Sequence, residues 1–394
     1  MSKIDDLIQQ LCPQGVEYKK LGEVFTRVKG TPITASKMKE IATKDGEIRI
    51  FAGGKTIIDA HEESIPNANI TRVPAVLIQS RGVIDVVFYD KPFTFKSEMW
   101  AYTADNIHAL KFLYYFLKNN IQIFRTTAAG MGSMPQISLP VTDNFLIPLP
   151  PLPVQQEIVR ILDAFTQLEA ELEAELEARK KQYEYYRDTL LSFEHDDPEV
   201  EWKRLGEVGT FTYGYTAKAQ EEGDTRFIRI TDITESGCLN PDNAKYITLS
   251  EESKKYLAKK GDLLLARTGA TYGKTLYMQD DIQAVYASFL IKIVLDNSLI
   301  TNRYYWHFSK STFYWQQAEK LVTKGGQEQF NANAVSRILI PLPPLPVQQE
   351  IVRILDKFEA ITSDLQSGLP AEIEARRKQY EYYRDRLLTF KVKN

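Results

Sequence analysis

Residues 147–163 read IPLPPLPVQQEIVRILD, and residues 340–356 repeat the same 17 residues without a change. Two further pairs extend the match. ARKKQYEYYRDTLLSF at 178–193 returns as ARRKQYEYYRDRLLTF at 375–390, identical at 13 of 16 positions, and VEYKKLGEV at 16–24 returns as VEWKRLGEV at 200–208, identical at seven of nine. A unit this long is no solenoid repeat; the chain is a duplicated domain pair. Each copy has a variable front part and a near-identical back part. The expected division is a front domain at 1–150, a helical segment at 151–194, a second front domain at 195–343 and a second helical segment at 344–394.

The back part is helical by its periodicity. Apolar residues fall at Ile158, Ile161, Phe165, Leu168, Leu172, Leu176, Tyr183, Tyr186, Leu190 and Phe193, mostly spaced by threes and fours. That is the seam of a long amphipathic or coiled-coil helix. Some 40 residues at about 1.5 Å each give a rod of about 60 Å. The second copy repeats the seam with four more residues in its middle, which lengthens the rod by about one turn and keeps its face. Ser367-Gly368-Leu369-Pro370 is a candidate break, with Pro370 opening a new helix. The Pro-rich PLPPLP entry reads as a stiff extended joint, because proline fixes φ. Two rods in one chain most simply pack on each other, antiparallel. The fold class is therefore α+β: two mixed α/β front domains joined by two long antiparallel helices as a coiled-coil spacer, in a pseudo-two-fold repeat.

The front parts share a layout. Ala75 to Ile78 and Leu263 to Leu265 are short β-like runs followed by the turns Gln79-Ser80-Arg81-Gly82 and Ala266-Arg267-Thr268-Gly269. Val86 to Tyr89 and Phe289 to Val294 are further strands. Aromatic-rich stretches at Leu110 to Phe124 and Tyr304 to Ala318 are expected helices. Glycine loops at residues 129–133 and 324–327 close each front part.

Composition bounds the function. The 394 residues are 43% hydrophobic and 26% charged, which excludes disorder and leaves room for two or three domains. Cys12 and Cys238 form no CxxC pair, which argues against a zinc site and suits a reducing cytoplasm. The start is too polar for a signal peptide, and no apolar run is long enough to span a membrane. A cytoplasmic protein is expected. The net charge of −3 neither supports nor excludes nucleic acid, because the acidity sits in the rods. Residues 157–189 alone carry nine acids against five bases.

Near-identical rods with divergent front parts imply a shared frame carrying two different readers. Taken together, LPPLPVQQEIVRILD, the RKQYEYYRD block and the alternation of two dissimilar domains with two similar helices resemble the specificity subunit of type I restriction–modification enzymes. The resemblance covers essentially the whole chain. It implies that each front part is a target recognition domain reading one half of a split site in double-stranded DNA. It implies too that the helices set the gap and dock two modification subunits, adenine methyltransferases, with restriction subunits of translocase and nuclease activity joining them. No cofactor is then expected on this chain; S-adenosylmethionine, ATP and Mg²⁺ belong to its partners. A non-catalytic two-domain scaffold without sequence-specific DNA binding is the alternative.

Candidate contacts follow from residue chemistry. Arg suits guanine, Gln suits adenine, and Thr or Lys suits phosphate. The first front part offers Lys29, Gln79, Ser80 and Arg81, with Ser133 and Gln136 in its closing loop. The second offers Arg267, Thr268, Thr271, Tyr272 and Lys274, with Gln327, Gln329 and Asn331. Partner contacts are expected at Gln155, Gln156, Tyr185, Gln348, Gln349 and Tyr382, helix-end contacts being the other reading of the glutamines. Tyr183, Tyr186, Tyr380 and Tyr383 lie on the seam and are expected in the core. No methyltransferase Asn/Asp-Pro-Pro-aromatic motif and no P-loop occurs, and the four histidines show no metal spacing. Asp196, Asp197, Glu201 and Lys203 loosely mimic a nuclease set. The purified chain alone is nevertheless expected to leave plasmid DNA uncut with or without Mg²⁺. Mg²⁺-dependent cutting that disappears in Glu201→Ala would overturn that expectation.

Overall fold

The computed structural model describes residues 3–54, 56–128, 134–323, 325, 328–363 and 368–393. It divides into two compact units, Met1–Glu171 with Glu374–Asn394, and Leu172–Ile373. Each unit takes one front part together with a portion of both rods.

Within each unit two repeated motifs meet. The lead-in strand Tyr18–Lys20 pairs antiparallel with Leu146–Pro148, and Glu201–Arg204 pairs in the same way with Leu339–Leu342. The start of the proline segment is thus a strand before it becomes a joint. A two-stranded ribbon has edges on which proline's missing N–H costs no ladder bond.

The main sheet of the first unit is antiparallel and runs Thr26–Val28, Trp100–Thr103, Ala75–Gln79, Asp85–Tyr89. The second unit repeats the order with Gly209–Tyr213, Leu290–Leu295, Leu263–Ala266 and Thr275–Tyr277. Ala75–Gln79 and Leu263–Ala266 are buried along their whole length, so they read as unbroken apolar runs without alternation. A second, mixed sheet was not foreseen. Ile48–Phe51 lies between Ile57–Ala60 and Phe93–Phe95, and Thr225–Ile228 between Tyr246–Ile247 and Ala284–Tyr286. Each aromatic stretch forms two helices where one was expected: Ile107–Asn119 with Ile121–Ala128, and Asn302–Phe308 with Thr312–Leu321. Side-chain hydrogen bonds to the backbone make the breaks. Asn120 Nδ2 donates to the Phe116 carbonyl, and Ser311 accepts from the Tyr314 N–H as the cap of a new helix.

The first rod is one helix, Leu152–Leu190, of 39 residues. The second is in two pieces, Leu345–Ser363 and Leu369–Leu387, with Pro370 in the first turn of the latter. Ser367 of the proposed break lies outside the described residues. In the first unit Phe165 packs on Tyr380 and stacks on Tyr383 at 5.7 Å, and Glu169 pairs with Arg377, which fixes an antiparallel contact. In the second unit Phe358, the repeat counterpart of Phe165, stacks on Tyr186 at 5.3 Å. Tyr183 is buried as expected; Tyr186 and Tyr383, expected in the core, are instead partly exposed, by 39% and 37%, beside the rings they stack on.

Each rod holds its front part through the aspartate that ends the identical block. Asp163 accepts from Lys111 Nζ and the Tyr115 hydroxyl, both at 2.6 Å. Asp356 accepts from Arg303 Nε and His307 Nε2, both at 2.7 Å. In the second unit Lys310 adds a buried ion pair with Glu359 at 3.0 Å and sits 3.2 Å from the Trp306 ring centroid. Burial pushes the Lys310 ammonium down to about 8.

His307 is fully buried, and burial, aided by the nearby Lys310 and Arg303 charges, holds its imidazole down at about 4 against the pull of Asp356. Neutral at pH 7, it donates from Nε2 to Asp356 and accepts at Nδ1 from the Tyr183 hydroxyl at 3.2 Å. Unfolded, the same group titrates near 6.5, so between these values the unfolded chain binds the extra proton. Stability should therefore fall by about 1.4 kcal/mol per unit as pH drops below about 6.5. Urea midpoints between pH 6.5 and 5 should show this slope in the native chain and lack that component in His307→Gln.

Candidate nucleic-acid interface

The turn after each central strand is clamped to the closing loop by the same backbone bonds. In the first unit Gly82 N–H donates to the Pro135 carbonyl at 2.8 Å, and Ile137 N–H donates to the Ser80 carbonyl at 2.9 Å. In the second, Gly269 N–H donates to the Glu328 carbonyl at 3.2 Å, and Phe330 N–H donates to the Arg267 carbonyl at 2.7 Å. Isolated bridges join Arg81 to Gln136 and Thr268 to Gln329. Both turns need a glycine, because Gly82 and Gly269 have φ of 76° and 69°. The bonds set the correspondence: Ser80 matches Arg267, Arg81 matches Thr268, and Gln136 matches Gln329.

A third segment is equivalent in the two units. Gly30 and Gly214 begin equivalent bridges, Thr31 to Lys96 and Tyr215 to Ala287. A Cβ at either glycine would stand 2.2 Å from the Phe95 carbonyl oxygen or 2.3 Å from that of Ala287. Lys29 and Tyr213 are thus counterparts. Tyr213 and Phe289 were not foreseen as site residues. Matching the two glycines in the sequence would have found Tyr213; Phe289 carried no signal beyond its strand.

On this shared backbone the side chains differ. In the first unit Lys29, Arg81 and Gln136 are exposed, and among the described residues neither cation has an ion-pair partner. Gln79 and Ser80, expected at the surface, are buried, and the Ser80 hydroxyl donates to the Glu98 carbonyl. In the second unit Arg267 is half-buried and Thr268 is buried, its hydroxyl donating to the Glu328 carbonyl at 3.0 Å. Ser80 and Thr268 thus hold the turn, and with the buried Gln79 they are not open to a ligand. Asn331 caps a helix, its side-chain oxygen accepting from the Ala334 N–H, and stays exposed. Thr271 Oγ1 is buried without a partner among the described residues, Tyr272 packs edge-on to Trp315 and Phe330, and Lys274 pairs with Glu235. Ser133 and Gln327 lie outside the described residues.

Among the residues expected to meet partners, Gln155 and Gln348 are corrected to helix-end contacts. Both are buried, and their Nε2 atoms donate to the carbonyls of Pro150 and Pro343 at 2.7 and 2.9 Å. Gln348 also accepts from the Thr301 N–H. Gln156, Gln349, Tyr185 and Tyr382 are exposed, the two tyrosines by 66% and 63%. Among the described residues no group of three His, Cys, Asp or Glu could hold a metal ion, and no helix is long and apolar enough to cross a membrane.

Residues 13–178 and 199–375 each match the model of the type I restriction modification DNA specificity domain. The specificity subunit of the Escherichia coli type I restriction enzyme EcoR124I/EcoR124II is 33% identical over 99% of this chain and 98% of its own length. A putative type I specificity subunit of Haemophilus influenzae is 36% identical over 71% of this chain and 72% of its own. In fold, the chain is similar to the type I restriction–modification S subunit of M. genitalium, with a TM-score of 0.60 over 95% of both chains at 16% identity. A chain from a structure of type I R-M complex assembly and conformational transition gives a TM-score of 0.56 at 18% identity, covering 95% of this chain and 98% of that one.

Gly82→Ala should strain the first turn, since its Cβ would meet Gly54 Cα at 3.1 Å and its φ is left-handed. A loss of about 1–2 kcal/mol is expected in urea unfolding. The second turn, probed by its own Gly269→Ala, should respond independently, and the two losses should add.

Proposed function

The chain belongs to the type I restriction–modification DNA specificity family, and from that premise we propose that it reads a split site in double-stranded DNA, one half with each front part. It does so without catalysis of its own. The carrying observation is that one backbone constellation, a glycine turn bonded to a closing loop, occurs in both units and bears different side chains in each. Reading two different half-sites requires such a scaffold with changed contacts. Lys29 and Arg81 in the first unit and Arg267 in the second supply the donors for phosphate and base edges.

The rods assemble the complex. Their exposed faces repeat Tyr185 as Tyr382 and Gln156 as Gln349, so two copies of one partner find the same surface twice. Those partners are two modification subunits carrying S-adenosylmethionine. Restriction subunits using ATP and Mg²⁺ join them, in the cytoplasm. The tyrosines support this reading because large exposed aromatics are enriched at protein interfaces.

Methylation mapping of host DNA, with this chain present and with its gene deleted, tests the proposal. N6-methyladenine should vanish at one split motif on deletion. If the chain assembles with its methyltransferase partners and the methylome stays unchanged, the chain is a scaffold and does not read DNA.

A further inference from the structure

Arg267 is held before any ligand arrives. Its Nε donates to the Ser288 carbonyl at 3.0 Å, and its Nη1 lies 3.5 Å from Gln329 Oε1. Its guanidinium carbon lies 5.2 Å from the Tyr213 ring centroid and 5.5 Å from that of Phe289. Gln329 is itself fixed, since its Nε2 donates to Thr268 Oγ1 at 3.0 Å and Thr268 donates onward to the Glu328 carbonyl. That chain of donors turns the amide oxygen towards the arginine. Nη2 has no hydrogen-bond partner among the described residues, and it is not one of the buried polar atoms left unpartnered.

A phosphate contact can also use an arginine fork, but it tolerates a flexible stem. A brace would spend its terminal nitrogens inside the fold. Arg267 does neither: Nε is anchored, Nη1 makes only a 3.5 Å contact through one of its two N–H groups and Nη2 is left open, so the Nη1/Nη2 end can face two acceptors, beside rings that are 42% and 51% exposed. A planar fork with fixed orientation matches the paired N7 and O6 acceptors of guanine. Immobilising it in advance removes the ordering cost of binding.

Resting on the DNA-reading function above, we propose that Arg267 is a specificity-determining residue of the second front part and reads a guanine through the major groove. Tyr213, Phe289 and Gln329 are its positioning residues. The first unit has Ser80 at this backbone position, so the braced fork belongs to one half-site alone.

The test uses the assembled methyltransferase complex and duplexes carrying its mapped motif. Each guanine of the motif is replaced in turn by 7-deazaguanine, which lacks the N7 acceptor. Wild-type affinity should fall about tenfold or more at one guanine of one half-site. Arg267→Lys should bind the native and deaza duplexes alike and methylate a motif relaxed at that position, with the other half-site unchanged. Phe289→Leu should weaken the N7 dependence, and Phe289→Tyr should restore it. The proposal is overturned if no guanine shows N7 dependence in the wild type, a result that needs no variant to fold. It is overturned equally if Arg267→Lys keeps the wild-type dependence, or lowers the unfolding temperature without changing the motif. A wild-type complex with no motif at all would instead remove the DNA-reading function on which the proposal rests.

Discussion

Asp163 and Asp356 end the identical block of each copy, and each receives two donors from a different front part. One takes Lys111 and Tyr115; the other takes Arg303 and His307. A carboxylate has enough lone pairs to serve either combination, so the rod sequence stays constant while the helix above it changes. Charge-assisted bonds of this kind contribute about 1.5–3 kcal/mol each. Position matters as much as energy. The aspartate places the aromatic helix on the rod, and the aromatic helix supports the sheet whose central strand ends in the candidate turn. Gln155 and Gln348 complete the frame by tying the rod start back to the proline segment.

Much of this was legible because the repeats are explicit. The rods, their antiparallel contact and the two central strands follow from periodicity and apolar runs, and both turns fall where Gly82 and Gly269 stand. The second sheets were hidden, since Ile48–Phe51 and Thr225–Ile228 are short and pair with distant segments such as Phe93–Phe95 and Ala284–Tyr286. The aromatic stretches looked continuous because Asn120 and Ser311 break them by side-chain bonds that composition alone does not weigh. Site burial was equally hidden. Nothing local says that Ser80 turns inward to the Glu98 carbonyl while Arg81, one residue on, stays exposed.

That one-residue offset separates the two units in where the cation sits. The backbone bonds equate Ser80 with Arg267 and Arg81 with Thr268, so each turn carries one arginine, but in different slots. In the first unit the guanidinium stem is exposed and has no ion-pair partner among the described residues. In the second it leans on two rings and a carbonyl. The same fold thus presents one adaptable cation and one rigid one.

The Lys310–Glu359 pair also defines how such domains can be traded. Glu359 lies three residues beyond the identical block, where the first rod has Thr166, whose hydroxyl bonds to its own helix at the Leu162 carbonyl. A front part grafted at the edge of that block would carry Lys310 onto a rod offering threonine, leaving a buried ammonium without its counter-charge. Losing one partner of a buried pair costs about 3–5 kcal/mol, a large share of the stability of a single domain. The transferable cassette therefore extends past the visible repeat by one turn of helix, and a functional chimera has to be cut there.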